Sequence, residues 1–200
     1  EHLKKSKVTS TLKPWDKNDN VIWLASTLQL HRNIEKFKFP NKLEKEKKGH
    51  ILNLLSNTLM GMKELKNPLL LHGDEMTPVE KNFLLEHYLI FEGLSETLHD
   101  EAFLIDDSGE FLTLFNVKDH VRLQLTDVSG DLEKAWGKLV KLENSLANAA
   151  GFAYLPKFGF LTSDPAISGT GLVVEAFLHL PALIHLEELS EVLEKEKNEA

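Results

Sequence analysis

The sequence predicts an α+β fold in which helices pack on an antiparallel sheet. Two observations support this: short apolar runs bounded by turn residues, which are typical of strands, and longer segments whose apolar residues recur at helical spacing. Because the strands form hairpins and are separated by single helices, we expect them to pair antiparallel. The chain has 200 residues, of which 42% are hydrophobic, so it can bury one core without a disulfide or a structural metal.

The first half of the chain predicts one strand and two helices. Val21–Leu30 mixes apolar residues with Thr and Ser, which is typical of a partly buried strand. Apolar residues recur at helical spacing over Leu43–Leu65 and predict the first helix. Thr77–Glu80 contains an N-cap threonine, a proline at the first helical position and a glutamate at the third, so the second helix is expected to begin there and to end near Phe91.

The second half predicts a hairpin, three more strands and two helices. Ala102–Ile105 and Phe111–Phe115 are apolar runs joined by Asp106–Glu110, which has the composition of a tight turn. His120–Thr126 alternates apolar with polar residues and is expected to form a strand with one face in water. The remaining predicted elements are a helix over Asp131–Ala150 with Leu132 and Trp136 in its apolar stripe, strands over Phe152–Tyr154 and Leu172–Leu180, and a short helix over Leu186–Ala200.

Charge and composition exclude several classes of protein. The chain has 23 basic and 31 acidic residues, a net charge of −8 (23 − 31), so no basic surface for nucleic acid is expected. No apolar run approaches the roughly 18 residues that would cross a bilayer. The chain has no cysteine, which excludes a disulfide framework, a thiolate zinc site and a cysteine nucleophile.

The expected organisation is a loose arm over residues 1–19, one domain over residues 20–184 and a helical tail over residues 185–200. No segment has the features of a signal peptide, so we expect a cytoplasmic protein. The sequence begins with Glu1 rather than methionine, which is compatible with a fragment of a longer protein.

Three local patterns could carry chemistry, and none is decisive by itself. His179 and His185 are six residues apart across a proline, a spacing that does not predict a zinc site. Gly169–Gly171 is either a phosphate cradle or, more simply, a tight turn that enters a strand, because no Gly-Lys-Ser follows it. Asp119 and His120 form either a catalytic pair or the capped start of a strand.

Several segments between about Val21 and Leu183 match one family pattern in order and spacing. They are Asn20–Ile34 (compare S-S-R-I-R-L-A-R-N), Phe39–Leu43 (F-P), Asn116–Gln124 (N-E-E-D-H-x-R), and Gly159–Leu172 followed by His179–Pro181 (G-x-L-T-x-C-P-x-x-x-G-T-G-L-R, then L-P). Together these segments resemble the ATP:guanidino phosphotransferase family, and most closely its bacterial protein-arginine kinases.

The resemblance implies an antiparallel sheet flanked by helices, with ATP across it, and transfer of the γ-phosphoryl group to a guanidinium nitrogen. In the family, Mg²⁺ accompanies the ATP, arginines neutralise its phosphates, a carboxylate orients and deprotonates the guanidinium, and a cysteine lies beside it. Such catalysis depends on positioning and on charge stabilisation. The implied partners are a zinc-binding activator protein, an AAA+ unfoldase–protease or arginine-containing proteins, with homo-oligomers as a further form of assembly.

Most of the family's charged groups are replaced in this sequence. Thr27 and Gln29 stand where the first two arginines of the R-I-R-L-A-R-N pattern are expected. Lys118 stands at the position of the catalytic carboxylate. The other replacements are Val117 for the first glutamate of N-E-E-D-H, Asp164 for the cysteine, and Val173 for the arginine after G-T-G-L. The resemblance therefore implies no intact catalytic residue, and Lys118 and Asp164 are vestigial positions.

Two nucleotide-binding positions are retained. Arg122 matches the phosphate-contacting arginine that follows D-H, and His87 matches a nucleoside-contacting histidine unless a one-residue shift places Tyr88 there. Arg32 matches the third arginine of the first motif, on which the family does not rely for phosphate. We expect Arg122 to project from a strand into an open groove shared with His87 and Thr27.

The replaced guanidinium pocket leads to a further expectation. Lys118 and Asp164 carry opposite charges at positions that both face the substrate guanidinium in the family, so a salt bridge between them would fill that pocket. The alternative is that both side chains point to solvent and do not meet.

Three functions remain open from the sequence. The first is a catalytically degenerate kinase-like domain that works by binding partners. The second is an active protein-arginine kinase whose remaining phosphate-binding arginines lie beyond Ala200, in which case the catalytic-domain fold is truncated at its C-terminus. The third is a structural subunit that forms an oligomer through the helix Leu186–Val192.

Overall fold

The computed structural model describes residues 20–86 and 100–199. In chain order the elements are β1 (Trp23–Arg32), α1 (Lys45–Met60), β2 (Leu69–His72), α2 (Pro78–Glu86), β3 (Ala102–Ile105), β4 (Phe111–Phe115), β5 (Val121–Asp127), α3 (Leu132–Ala149), β6 (Tyr154–Leu155), β7 (Gly159–Phe160), β8 (Leu172–Leu178), α4 (Pro181–His185) and α5 (Leu189–Glu199). The predicted N-terminal arm and the predicted end of the second helix near Phe91 lie outside the described residues.

Six strands form one antiparallel sheet in the order β2-β3-β4-β5-β1-β8. The predicted α+β architecture with an antiparallel sheet is therefore confirmed. β6 and β7 pair separately as a short hairpin. β1 is flanked by β5 and β8, so residues from three distant parts of the chain meet along it.

Helices α1 and α3 cover one face of the sheet and form the larger hydrophobic core. Alternate residues of the strands point into this core, as Leu28 and Leu30 do from β1, because successive side chains of a strand face opposite sides. The buried stripes of the helices are Ile51, Leu55 and Leu59 of α1 and Ala135, Leu139, Leu142 and Leu146 of α3.

The predicted stripe of α3 was wrong at two positions. Leu132 and Trp136 are 40% and 38% exposed. Because each residue advances about 100° around a helix, Trp136 is turned well away from the line through Ala135 and Leu139. Leu132 belongs to the first turn, which begins after Asp131 caps the helix by accepting a hydrogen bond from the backbone of Lys134 at 3.0 Å.

The opposite face of the sheet has an apolar half and a polar half. The apolar half belongs to β3 and β4, where Phe103, Ile105, Leu112 and Leu114 are buried with Met76. The polar half belongs to β5, β1 and β8. Strand β2, which pairs with β3, was not predicted, because a run of three leucines does not distinguish a strand from a helix.

The expectation of a wet face on β5 was also wrong. Gln124 and His120 are fully buried, and Arg122 is half-buried. β5 lies between β4 and β1, so its polar residues are flanked by side chains of both neighbours. An alternating pattern indicates which residues share a face of a strand, but it does not show whether that face meets water.

Local signals at turns and caps were read correctly. Thr77 and Glu80 form the predicted capping box: the backbone of Thr77 donates to the Glu80 carboxylate at 2.9 Å, and the backbone of Glu80 donates to Thr77 Oγ1 at 3.3 Å. The β3–β4 turn is closed by Ser108, which donates to Asp106 at 2.6 Å.

The C-terminal segment differs in detail, since α4 precedes the tail helix and that helix begins at Leu189. None of the helices in the described ranges is long and apolar enough to cross a membrane.

Candidate functional site

Strands β5, β1 and β8 place polar side chains on the side of the sheet that faces away from α1 and α3. Directly opposed residues of antiparallel strands point to the same side, as do alternate residues of one strand. We call this surface the polar face. Its members are Thr27, Gln29 and His31 of β1, their partners Thr126, Gln124 and Arg122 of β5, and Glu175 and Val173 of β8.

The polar face contains four of the positions at which the family resemblance implies nucleotide contacts. Thr27, Gln29, Val173 and Arg122 all lie on it. Arg122 and Thr27 therefore share one side of the sheet, as expected, whereas His87 lies outside the described residues. The roles of these residues in nucleotide binding remain predictions.

A carboxylate occupies the part of the polar face where arginines are expected. Glu175 Oε2 accepts hydrogen bonds from Gln29 Nε2 at 2.6 Å and from Thr27 Oγ1 at 3.2 Å. Thr27 and Gln29 are 1% and 4% exposed, so both donors are held in place beneath the carboxylate. The two side chains that stand where the resemblance implies arginines thus orient a negative charge.

The loop between β4 and β5 is organised by the buried carboxylate of Asp119. Its Oδ2 contacts His31 Nδ1 at 3.0 Å, and its Oδ1 accepts hydrogen bonds from Asn33 Nδ2 at 2.6 Å and from the backbone of Ser163 at 2.7 Å. Burial opposes ionisation, but the hydrogen bonds from His31, Ser163 and Asn33 outweigh it and lower the pKa of Asp119. Asp119 is therefore an ionised group that ties three segments of the chain together.

His120 has a structural role. Its Nδ1 accepts a hydrogen bond from the backbone of Ile34 at 2.9 Å, and its Nε2 lies 3.0 Å from the carbonyl of Lys38, to which it donates. Burial lowers the pKa of His120 to about 4, so the ring is neutral at physiological pH. The side chains of Asp119 and His120 hydrogen-bond to different groups and not to each other, which favours the structural interpretation of this pair over the catalytic one.

Lys118 and Asp164 are brought into neighbouring loops. Ser163, which precedes Asp164, donates a side-chain hydrogen bond to the carbonyl of Lys118 at 2.6 Å. Both charged side chains are exposed. Asp164 Oδ1 accepts a hydrogen bond from the backbone of Ala166 at 2.9 Å and thereby caps the short turn at Pro165–Ile167. Within the described residues no ion pair joins Lys118 to Asp164, so the predicted salt bridge was wrong: the Asp164 carboxylate caps the turn instead.

Arg32, which matches the third arginine of the first motif, has a structural role. Its side chain is buried and its Nε donates to Glu143 of α3 at 2.6 Å. Its Nη1 donates to the carbonyls of His31 and Thr170 at 2.8 Å each, and its guanidinium lies 3.8 Å from the centre of the Phe160 ring. Arg32 therefore joins β1 to α3 and to the loop before β8, and contributes nothing to the polar face.

The Gly169–Gly171 segment is the tight turn that the simpler interpretation predicted. Gly171 has a φ of 59°, and a Cβ there would lie 2.5 Å from Arg32 Nη1 and 2.6 Å from the carbonyl oxygen of His31. The backbone of Gly171 also accepts a hydrogen bond from the backbone of His31 at 2.8 Å. Close approach of β8 to β1 accounts for this glycine.

Metal-ligating residues do not cluster in the structure as described. Within residues 20–86 and 100–199, no group of three His, Cys, Asp or Glu residues could hold a metal ion. His179 and His185 therefore belong to no such group.

Sequence analysis missed two residues of the polar face, His31 and Glu175. His31 lies two residues after Gln29, and Glu175 lies two residues after Val173, so strand alternation could have placed both beside the predicted positions. The contacts that each makes across the sheet depend on strand register, which the sequence did not reveal.

Comparisons with known proteins agree on one family. Residues 50–199 match the ATP:guanido phosphotransferase C-terminal catalytic domain. The chain is 34% identical over 177 residues to a protein-arginine kinase of Chlamydia pneumoniae, an alignment that covers 88% of this chain and 49% of the relative. It is 38% identical over 176 residues to the protein-arginine kinase of Chlamydia muridarum, with 84% and 47% covered. The chain thus spans about half the length of the curated relatives it matches.

Solved structures show the same fold. The duplicated taurocyamine kinase of Schistosoma mansoni superposes with a TM-score of 0.76 at 18% identity, over 94% of this chain and 28% of that one. A lombricine kinase superposes with a TM-score of 0.70 at 16% identity, over 89% and 53%. With the matched catalytic domain and the shared sheet, these similarities show that the chain belongs to the ATP:guanido phosphotransferase family.

Proposed function

We propose that this chain is a protein-arginine-kinase-like phosphotransferase domain that has lost catalysis and works by binding protein partners. The observation that carries the proposal is the carboxylate of Glu175, which Thr27 and Gln29 hold on the polar face where the family resemblance implies arginines. A surface that binds the phosphates of ATP requires positive charge at this place.

The charge balance of the polar face opposes phosphoryl transfer. One transition-state arginine is worth about 10³–10⁵ in rate in related reactions. Of the residues that define the polar face, Arg122 alone carries a permanent positive charge. A phosphate oxygen about 4 Å from Glu175 would be repelled by roughly 4 kcal/mol at an effective dielectric constant near 20.

The lysine at the position of the family's catalytic carboxylate also opposes phosphoryl transfer. Lys118 would repel a substrate guanidinium by a similar amount, about 4 kcal/mol at about 4 Å and the same dielectric constant. A lysine at that position also lacks the carboxylate oxygens that would accept a proton from the guanidinium. The described residues therefore do not fit ATP–Mg²⁺ and an arginine substrate, and no reaction step is assigned to them.

A binding function fits the remaining properties of the chain. The net charge of −8 favours a protein partner over nucleic acid. The partners we propose are the classes that the resemblance implies: a zinc-binding activator protein, an AAA+ unfoldase–protease, or arginine-containing proteins, in the cytoplasm.

Two assays test the loss of catalysis. Mass spectrometry of an arginine-containing protein incubated with the chain, ATP and Mg²⁺ is expected to show no phosphoarginine, with the Chlamydia pneumoniae protein-arginine kinase as positive control. Equilibrium dialysis with labelled ATP is expected to show no Mg²⁺-dependent binding in the micromolar range. Phosphoarginine formation, or tight Mg²⁺-dependent binding, would contradict the proposal.

A matched variant tests the physical reason. Glu175→Gln keeps the size and the hydrogen-bonding capacity of the side chain and removes its charge. If repulsion by Glu175 weakens ATP binding, this variant should bind ATP measurably more tightly than the natural chain, whereas Glu191→Gln, on exposed α5, should not. Equal affinities for all three proteins would show that Glu175 is not the cause.

The alternative of an active kinase draws support from Arg122, which lies on the polar face as the family pattern requires. It predicts phosphoarginine formation once groups outside this chain complete the phosphate site. The same mass-spectrometric assay on a longer protein that contains this chain distinguishes the two functions. The structural-subunit alternative predicts a stable oligomer, which light scattering would detect.

A further inference from the structure

The connection between β1 and α1 carries a local excess of positive charge. Residues 36–48 contain six lysines and two glutamates, a net charge of +4, in a chain whose net charge is −8. The rest of the chain therefore carries −12 (−8 − 4). A run of charges is ordinarily a solvated surface, so this one indicates a site only if the fold gathers the lysines around a common opening.

The structure gathers four of these lysines around one cleft. The lining residues are Lys36, Lys38, Lys42 and Lys47, the acidic Glu44, and the apolar Phe37 and Leu43. Phe37 and Leu43 are partly buried and pack against the larger core, so they form a fixed apolar surface within the cleft. Its volume is about 180 Å³, below the roughly 300–1,000 Å³ of a small-molecule pocket, and therefore suits one or two side chains of a peptide.

The lysines of the cleft differ in what they contact. Lys47 Nζ lies 2.9 Å from Glu44 Oε2, so the acidic residue of the lining is already neutralised. The Lys36 ammonium lies 3.2 Å from the carboxylate of the preceding residue. Lys38 and Lys42 are exposed, and neither forms an ion pair with any residue that the structure describes. Two ammonium groups are thus available beside an apolar surface.

The backbone of the cleft is held in place by contacts within the fold. The His120 ring packs edge-on against the Phe37 ring, with 6.4 Å between their centroids, and its Nε2 donates to the carbonyl of Lys38 at 3.0 Å. A turn of 3-10 helix over Pro40–Lys42 is closed by a backbone hydrogen bond from Leu43 at 3.2 Å. Because a ligand does not have to order this segment, the entropic cost of binding is lower.

We propose that this cleft binds an acidic peptide segment of a protein partner, whose carboxylates contact Lys38 and Lys42 while an apolar side chain lies against Phe37. Lysine suits this ligand because its flexible point charge can meet carboxylates at varied positions. A nucleic acid would extend over a wider area and meet the acidic remainder of the chain. The inference rests on the proposed binding function for the kind of ligand, but the cleft shares no residue with the polar face, so the catalytic assays do not decide it.

Fluorescence anisotropy of a labelled Glu-Glu-Leu-Glu-Glu peptide measures binding to the full chain. We expect saturable binding with a Kd below about 1 mM at low salt, and binding about tenfold weaker near 0.5 M salt, because exposed ion pairs are screened. Gln-Gln-Leu-Gln-Gln, which keeps the shape and removes the charge, should not bind in this range. Glu-Glu-Ala-Glu-Glu should bind about fourfold more weakly, the effect of about one methylene group kept from water, and equal affinity would overturn the apolar contact.

Matched variants locate the site. Lys38→Gln combined with Lys42→Gln should weaken binding of the acidic peptide about tenfold, as for two exposed ion pairs lost. Lys63→Gln combined with Lys141→Gln removes the same charge from two exposed lysines outside the cleft and should leave the affinity unchanged. An equal loss in both double variants would show non-specific attraction and would overturn the proposal.

A second measurement uses only the natural chain. In nitrogen-15 spectra, the acidic peptide should shift the backbone amide resonances of residues 36–47 and leave those of α5 unchanged. Shifts confined to other residues, or no binding below about 1 mM, would overturn the proposal. Tighter binding of pyrophosphate than of the peptide, or a dimer in light scattering that the double substitution at Lys38 and Lys42 dissociates, would assign the cleft to a different occupant and would also overturn it.

Discussion

The buried ion pair between Arg32 and Glu143 predicts a large and measurable loss of stability. Arg32 is 3% exposed and its Nε lies 2.6 Å from Glu143 Oε1. Glu143→Ala would leave the guanidinium buried without a counter-ion, a change that costs about 3–5 kcal/mol of unfolding free energy. The guanidinium would keep its hydrogen bonds to two carbonyls and its contact with the Phe160 ring, so we expect the lower end, about 3 kcal/mol.

Urea unfolding followed by circular dichroism measures this loss. A decrease of about 3 kcal/mol is a large part of the 5–15 kcal/mol that is typical of a domain. Glu133→Ala, an exposed acid in the first turn of the same helix, is the control and should cost less than about 1 kcal/mol. If Glu143→Ala also costs less than about 1 kcal/mol, the pair behaves as an exposed one and the reasoning is refuted.

Three further predictions follow from the structure. Gly171→Ala should destabilise the chain by at least about 1–2 kcal/mol, because Gly171 has a positive φ. Gly137→Ala should instead stabilise it by about 0.5–1 kcal/mol, because Gly137 lies inside α3 with open space around it. The opposite result in urea unfolding would contradict the packing of these two glycines. The pKa of His120 is about 4 in the folded chain and 6.5 ordinarily, so keeping this ring neutral contributes up to about 3 kcal/mol to the free energy of unfolding. That contribution is complete above pH 6.5 and is lost as the pH falls toward 4. A ring resonance of His120 that titrates near 6.5 would disprove this. Because no ion pair joins Lys118 and Asp164, a double-mutant cycle between them in urea unfolding should give a coupling near zero, and a coupling of about 0.5–1 kcal/mol would contradict their placement.

Most of the fold could be predicted because its signals are local. The β3–β4 hairpin was predicted from an Asp-Asp-Ser-Gly turn between two apolar runs, and α2 from a capping box within four residues. In each case the residues that decide the structure are neighbours in the chain. β2 was missed because its three leucines carry no turn or alternation that would separate a strand from a helix.

The candidate site was predicted only in part. The replacements at Thr27, Gln29 and Lys118 could be identified by matching motifs, which requires no coordinates. That Glu175 hydrogen-bonds to both Thr27 and Gln29, and that His31 is oriented by Asp119, could not, because each contact depends on how two strands or a strand and a loop align.

The sequence by itself determined the secondary structure of most segments, the family, and which residues stand where the resemblance implies charged groups. Tertiary structure decided what the polar-face residues contact: Gln29 meets Glu175 across 146 residues of sequence, and His31 meets Asp119 across 88. The physical reason is that turns, caps and apolar periodicity express the preferences of adjacent residues, whereas the register between strands is set by the whole core at once. A shift of one residue would turn His31 to the core side of the sheet and remove Leu28 and Leu30 from the core, so burial of these leucines against the helices holds the register.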